Sequence, residues 1–185
     1  MSERLPPLAE EAMSEAQRKV ADAILSGPRK GLRGPFGAWL RSPELADRLQ
    51  RVGEHVRFNS SLPRHLNELA ILVTARHWTA QFEWFAHRPM AINAGLDPEI
   101  ADAIAEGKRP TRMNPEETVV YDFTTELHRD KNVSEATYDA ARNTFGEQGV
   151  IDLIGAAGYY TIVSMTLIVA GVPIPDGGPL PLKPL

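Results

Sequence analysis

Apolar residues recur at three- and four-residue spacing along most of this chain, and the strict alternation that marks a half-buried strand is nearly absent. The periodic segments open on helix start signals. Ser14 and Gln17 form a capping-box pattern ahead of a helix ending near Ser26, and such a cap contributes about 1 kcal/mol. The glycine- and proline-rich stretch 27–37 (GPRKGLRGPFG) is expected to be a loop that delivers Phe36 and Trp39 to the next element. Ser42 followed by Pro43 starts a helix running to about Arg57. Leu62 and Pro63 open a helix that carries His65 and Glu68 and ends near Trp78; Thr79 is the expected cap of the following helix, which Gly95 ends. Asp97 with Pro98, Asn114 with Pro115 and Glu117, and Ser134 start three more, ending near Ala105, Arg129 and Phe145. The glycines at 146 and 149 break the chain before a long apolar helix over 150–171. Five prolines in 172–185 rule out a continuing helix, so that tail is expected to be a disordered end or an extended arm on a neighbouring subunit. The pattern predicts an all-α bundle of about seven helices, with an N-terminal helix and loop (1–33), a helical domain (34–171) and a proline-rich tail (172–185).

Two segments depart from amphipathic patterning. In 66–75 (LNELAILVTA) apolar residues occupy every face, which marks a buried helix. Glu68 within it loses solvation that a partner or a proton must offset. Fifteen residues further on stands Glu83, and His87 follows one helical turn later, so the two side chains converge on one spot. A carboxylate beside an imidazole, with a second carboxylate from a preceding helix, is the residue set that moves a proton between atoms near neutral pH. On an open surface the same pair would be a solvated contact worth a few tenths of a kcal/mol. Burial of Glu68 separates the two readings. The second segment, 150–171, has membrane-spanning length. Asp152, Thr161, Ser164 and Thr166 interrupt it, no Lys or Arg cluster flanks it, and Gly155 to Gly158 are all small. A buried helix, in a subunit interface, is the expectation.

A chain of 185 residues with 43% hydrophobic content suits one core. The net charge of −4 is modest and the basic residues are scattered, which leaves no footprint for nucleic acid. There is no cysteine, hence no disulfide, no thiolate nucleophile and no Cys-based zinc site. The start, MSERLPPLAEE, lacks the basic and apolar regions of a signal peptide, so a cytoplasmic location is the default expectation. Trp78, Phe82, Trp84, Phe85, Phe36 and Trp39 form an aromatic set around the Glu/His pair, as a pocket for a small ring-shaped molecule requires. Arg76 is a candidate for gripping a substrate carboxylate, with Arg64 and Arg88 as alternatives. His55 and His128 fall on the solvated faces of amphipathic helices. Glu-x-x-x-His lacks the Glu-x-x-His spacing of di-iron bundles, so neither a metal nor another cofactor is expected.

The segment 62–96 (LPRHLNELAILVTARHWTAQFEWFAHRPMAINAGL) resembles the core of the carboxymuconolactone decarboxylase family, whose superfamily includes the AhpD-like alkylhydroperoxidases. The upstream stretch 34–49 resembles what precedes that core, and the likeness spans about 34–170. In the peroxidase branch a Glu is followed, after eleven residues, by Cys-x-x-Cys and then by His; counting from Glu68 puts Ala80 and Glu83 on the cysteine positions and His87 on the histidine. Dithiol chemistry therefore does not carry over. The decarboxylase branch has Glu-x-x-x-His after a Leu-Pro-Arg-His opening, which Leu62, Pro63, Arg64, His65, Glu83 and His87 match, while Glu68 and 157–164 (AGYYTIVS) depart from its pattern. The resemblance implies an AhpD-like bundle assembled as a homo-oligomer, commonly a trimer or hexamer. It also implies a cofactor-independent lyase or isomerase for a small carboxylated or lactone-like molecule. Glu83 is then the base, His87 the acid or electrostatic partner, and Glu68 the group that fixes the imidazole tautomer. His65, Arg76, Trp78, Trp84, Phe36 and Trp39 are the expected substrate-binding residues. The alternative is a non-catalytic, ligand-binding helical oligomer; a solvent-connected cavity reaching Glu83 and His87 distinguishes the enzyme from a sealed structural network.

Overall fold

The computed structural model describes residues 3–185, and of Asp176 the backbone alone. Its α-helices are α1 (Glu15–Ser26), α2 (Phe36–Trp39), α3 (Pro43–Glu54), α4 (Arg64–His77), α5 (Gln81–Asn93), α6 (Pro98–Ala105), α7 (Pro115–Asp130) and α8 (Glu135–Ala170), and no strand occurs among the described residues. Side-chain caps account for half of the eight starts. The capping boxes of Ser14 with Gln17 and of Asn114 with Glu117 are both closed, and Asp97 and Ser134 accept from the first turns of α6 and α8. Ser42 precedes Pro43 as expected but makes no side-chain cap bond.

Helix α4 is the axis of the fold. Every residue from Leu66 to Arg76 is buried, and α5, α6, α7 and α8 pack around it. Helix α8 is long and apolar enough to span a bilayer, yet half of its most apolar window is buried inside the protein. It is kinked where the break was expected, at Gly146, whose φ of 69° and ψ of 178° belong to glycine alone. Asp152, the one charge in its apolar half, is buried and accepts from the Ser61 backbone N–H at 2.7 Å, from Ser61 Oγ at 2.6 Å and from His55 Nε2 at 3.2 Å. It thus ties the loop before α4 to α8.

Several expectations are corrected. Helix α3 ends at Glu54 rather than near Arg57; the chain widens into a π-helical turn, His55–Asn59, whose Val56 carbonyl accepts from Asn67 Nδ2 of α4 at 2.9 Å. Phe36 and Gly37, assigned to the loop, already belong to the short α2. Thr79 does not cap α5, because it is the left-handed residue that closes α4. Its φ is +50°, its N–H donates to Arg76 O, and the Ala80 N–H donates to Ala75 O, which together make a Schellman motif. Ala80 is the residue before α5 and has no side-chain cap to offer. The tail neither leaves the chain nor lacks order. Leu182 is buried, its N–H and C=O pair with the Gln81 side chain at 2.9 and 2.8 Å, and Arg76 Nη2 donates to Lys183 O at 2.8 Å.

Candidate functional site

Only Trp78 to Ala80 separate α4 from α5, so the two helices form a tight antiparallel hairpin whose inner faces bring residues nineteen apart into contact. Glu68 and His87 meet there: His87 Nδ1 lies 2.7 Å from Glu68 Oε2, and both side chains are buried. A carboxylate only accepts, so Nδ1 carries the proton and Nε2 faces the other way. Nε2 faces Glu83, whose Oε2 is 3.4 Å off, too poorly aligned for a hydrogen bond and without any other partner among the described residues. Glu83 is 3% exposed. Burial raises its pKa above the ordinary carboxylate value, against the opposing pull of His87 and Arg57. The three predicted catalytic side chains are therefore brought together in a line, Glu68 to His87 to Glu83.

That line ends in a cavity of about 790 Å³, within the range of small-molecule sites. Glu83 and His87 line it, while Glu68 stands behind the imidazole. The walls are Phe36, Phe82, Trp84, Tyr159 and Tyr160; the rim includes Lys30, Arg33, Phe85 and Pro89, all exposed, so the cavity opens to solvent. Tyr160 meets His87 edge-on at 4.9 Å and Tyr159 edge-on at 5.3 Å, which restrains the imidazole plane. Burial pushes the Tyr159 hydroxyl up to about 12 and Tyr160 well above its ordinary value, so both present O–H groups at neutral pH. Gly53 of α3 makes room for the Tyr159 hydroxyl and the Arg29 guanidinium; a Cβ there would run into both.

Among the expected substrate-binding residues, Phe36 and Trp84 line this cavity and four do not. Trp39 lies behind it, edge-on to Tyr159 at 6.1 Å and bonded to Thr166. Trp78 donates to Thr161 on α8. Arg76 holds the C-terminal tail, and His65 stands at the start of α4, partly exposed and away from the cavity lining. The alternatives divide as well: Arg88 lines the cavity but is paired with Asp102 at 2.7 Å, whereas Arg64 does not line it. Sequence reasoning missed Arg29, Arg57, Tyr159 and Tyr160. Tyr159 and Tyr160 sit in the apolar run, where two adjacent tyrosines are the visible irregularity; nothing local marks Arg29 or Arg57. His128 is not a solvated surface residue. It stacks on His77 at 4.7 Å, lies 2.9 Å from Thr74 Oγ1 by its Nε2, and is held down to a pKa of about 4 by burial and by the neighbouring His77. No group of three His, Asp or Glu side chains among the described residues is arranged to hold a metal ion.

No protein-family model matches this chain, and no curated protein does. It is similar in structure to an uncharacterized peroxidase-related protein from Silicibacter sp. TM1040, seen in a crystal structure, with a TM-score of 0.72 and 14% identity over 90% of this chain and 87% of that one. At that identity the likeness speaks for the fold and not for carboxymuconolactone decarboxylase in particular. The chain has the AhpD-like all-helical fold.

Proposed function

We propose that this protein is a cofactor-independent lyase or isomerase that moves a proton on a small carboxylated or lactone-like substrate bound in the cavity. The observation that carries the reading is the Glu83 carboxyl: buried, facing the cavity, and left with one oxygen unpartnered at the end of the Glu68–His87 pair. A buried acceptor left open costs about 1–3 kcal/mol, which a merely structural network would have removed. In an isomerisation, ionised Glu83 takes a proton from carbon next to a carbonyl, the C–H electron pair moves onto the carbonyl oxygen, and the proton returns at a second carbon. In a decarboxylation the bond to the carboxylate breaks, its electron pair enters the conjugated carbonyl, CO2 leaves, and protonated Glu83 or His87 supplies the proton to carbon. Glu68, bonded to Nδ1 of His87, fixes the imidazole tautomer and turns Nε2 toward Glu83 in either course. With no cysteine in the chain, thiol peroxidase chemistry has no nucleophile, and organic hydroperoxide should be consumed no faster than background.

The reading includes a homo-oligomer. Ile151, Ile154, Met165, Ile168 and Val169 leave an apolar, uncharged stripe on α8 exposed, and a second copy covering it fits that stripe. The chemistry is tested with a panel of muconolactone-like acids, following CO2 release and uptake of solvent deuterium into carbon. Glu83→Gln should lower turnover by about 10²- to 10⁴-fold with the fold intact. Turnover near that of the unsubstituted enzyme would defeat the assignment. Tight binding without turnover of any acid in the panel would favour the non-catalytic ligand-binding alternative.

A further inference from the structure

The charges around the cavity are lopsided. Five cationic side chains line it, Arg29, Lys30, Arg33, Arg57 and Arg88, against a single carboxylate, Glu83, although the whole chain carries a net charge of −4. Among the described side chains only Arg88 of these five has an acidic partner. A protein with acidic groups to spare has kept them away from this one concavity, and a cleft lined by one sign of charge focuses its field on ligands of the other.

Two of the five are drawn inward. Arg29 comes from the loop after α1 and Arg57 from the π-helical turn, and both are half-buried. A guanidinium has five N–H donors. Arg29 uses one on the Tyr159 hydroxyl at 3.4 Å, and its Nε is shielded from solvent with no partner. The hydrogen bond of Arg57 goes to the sulfur of Met90 at 3.3 Å, a weak acceptor. Both stack over one ring: the guanidinium carbons of Arg29 and Arg57 lie 6.0 and 5.2 Å from the centre of Phe58, and Arg29 lies 5.2 Å from that of Phe36. Phe58 thus lies within cation–π range of both guanidiniums, both line the cavity, and both charges act on Glu83. Such an arrangement is favourable when an anion sits between the two guanidiniums.

We infer that the cavity is a carboxylate receptor in which Arg29 and Arg57 jointly grip the acid group of a ring-bearing substrate while Phe36, Phe82 and Tyr160 enclose the ring. The placing of that ring against Glu83 and His87 rests on the proton-transfer reading; the anion site itself does not. Arg76, which the sequence put forward for this role beside Arg64 and Arg88, is occupied with the C-terminal tail.

Benzoate and benzamide share a ring and differ in the charged group, so calorimetric titration of the full chain with each at low salt isolates the receptor. Benzoate should bind at least about tenfold more tightly than benzamide. Arg57→Gln and Arg29→Gln should each erase roughly a factor of ten of that preference, and Arg57→Lys, which restores the charge without the planar fork, should recover part of it. Far-UV circular dichroism on each variant separates lost binding from lost fold, and the lysine variant covers a glutamine variant that does not fold. Glu83→Gln should bind benzoate at least as well as the unsubstituted protein, since one nearby negative charge is gone. Equal binding of benzoate and benzamide, or a preference that survives both glutamine substitutions, overturns the receptor. Inorganic phosphate displacing benzoate at lower concentration overturns its carboxylate assignment. If the preference is absent while Glu83→Gln still cripples turnover, the anion site falls and the proton-transfer reading stands; a preference retained with turnover unaffected by Glu83→Gln gives the reverse.

Discussion

Replacing Glu83 by Gln should stabilise this protein while disabling it. The carboxyl is 3% exposed, its Oε2 has no hydrogen-bond partner among the described residues, and burial raises its pKa. A glutamine of the same shape carries no charge and can donate an amide N–H toward His87 Nε2, 3.4 Å from the present Oε2. Relief of one unsatisfied buried acceptor amounts to about 1–3 kcal/mol. For a chain of this length each kcal/mol moves the melting temperature by about 2–4 °C, so Glu83→Gln should melt roughly 2–12 °C higher at pH 7. The gain must also depend on pH. A carboxyl whose folded pKa is raised binds more protons in the folded state, so the stability of the unsubstituted protein falls as pH rises from the unfolded value near 4.5 through the raised folded value. The glutamine variant lacks that slope. Thermal melts of both proteins, followed by circular dichroism from pH 4 to pH 8, measure the difference directly. A variant that melts lower at pH 7, or a gap that does not widen with pH, would refute the view of Glu83 as a strained, functionally retained carboxyl.

Gly53→Ala places a favoured helix former in α3, worth about 0.5–1 kcal/mol on propensity alone, yet its Cβ would strike the Tyr159 hydroxyl and the Arg29 guanidinium. A net loss of about 1–3 kcal/mol in urea unfolding is expected, and a net gain would show that this wall of the cavity yields freely. Asp152→Ala removes the acceptor for Ser61 and His55 and should cost about 2–4 kcal/mol at pH 7. Burial works to raise the Asp152 pKa, but the bonds from Ser61 and His55 hold it below its ordinary value. The advantage over the alanine variant should therefore fade as pH drops below about 4, and a constant difference down to pH 2 would contradict it. His128, with a folded pKa of about 4 against an unfolded 6.5, takes up its proton more readily when unfolded. Stability should fall as pH drops from 6.5 to 4 and level off below, and His128→Gln should flatten that stretch of a melting-temperature profile.

The helical starts at Ser14, Asp97, Asn114 and Ser134 were legible because a cap is a bond between residues two or three apart, and periodicity identified α4 as buried for equally local reasons. The same local geometry brought Glu83 and His87 together, and the cost of burying Glu68 pointed to a partner for it, found in His87. Thr79 misled because a threonine beside a helix end reads as a cap, whereas the tight α4–α5 turn required a left-handed residue at that position. His128 misled because its amphipathic position says nothing of His77, fifty-one residues earlier, stacked against it. What surrounds Glu83 and His87 was decided by tertiary structure alone. Arg29 and Arg57 reach the cavity from a loop and a widened turn, Tyr159 and Tyr160 from the last helix, and the tail proline Pro181 from beyond it. Periodicity and capping act over one or two helical turns, while desolvation and charge focusing depend on which distant surfaces meet. The chain by itself therefore settled most of the helices and the pairing of Glu83 with His87, and only packing settled what surrounds that pair.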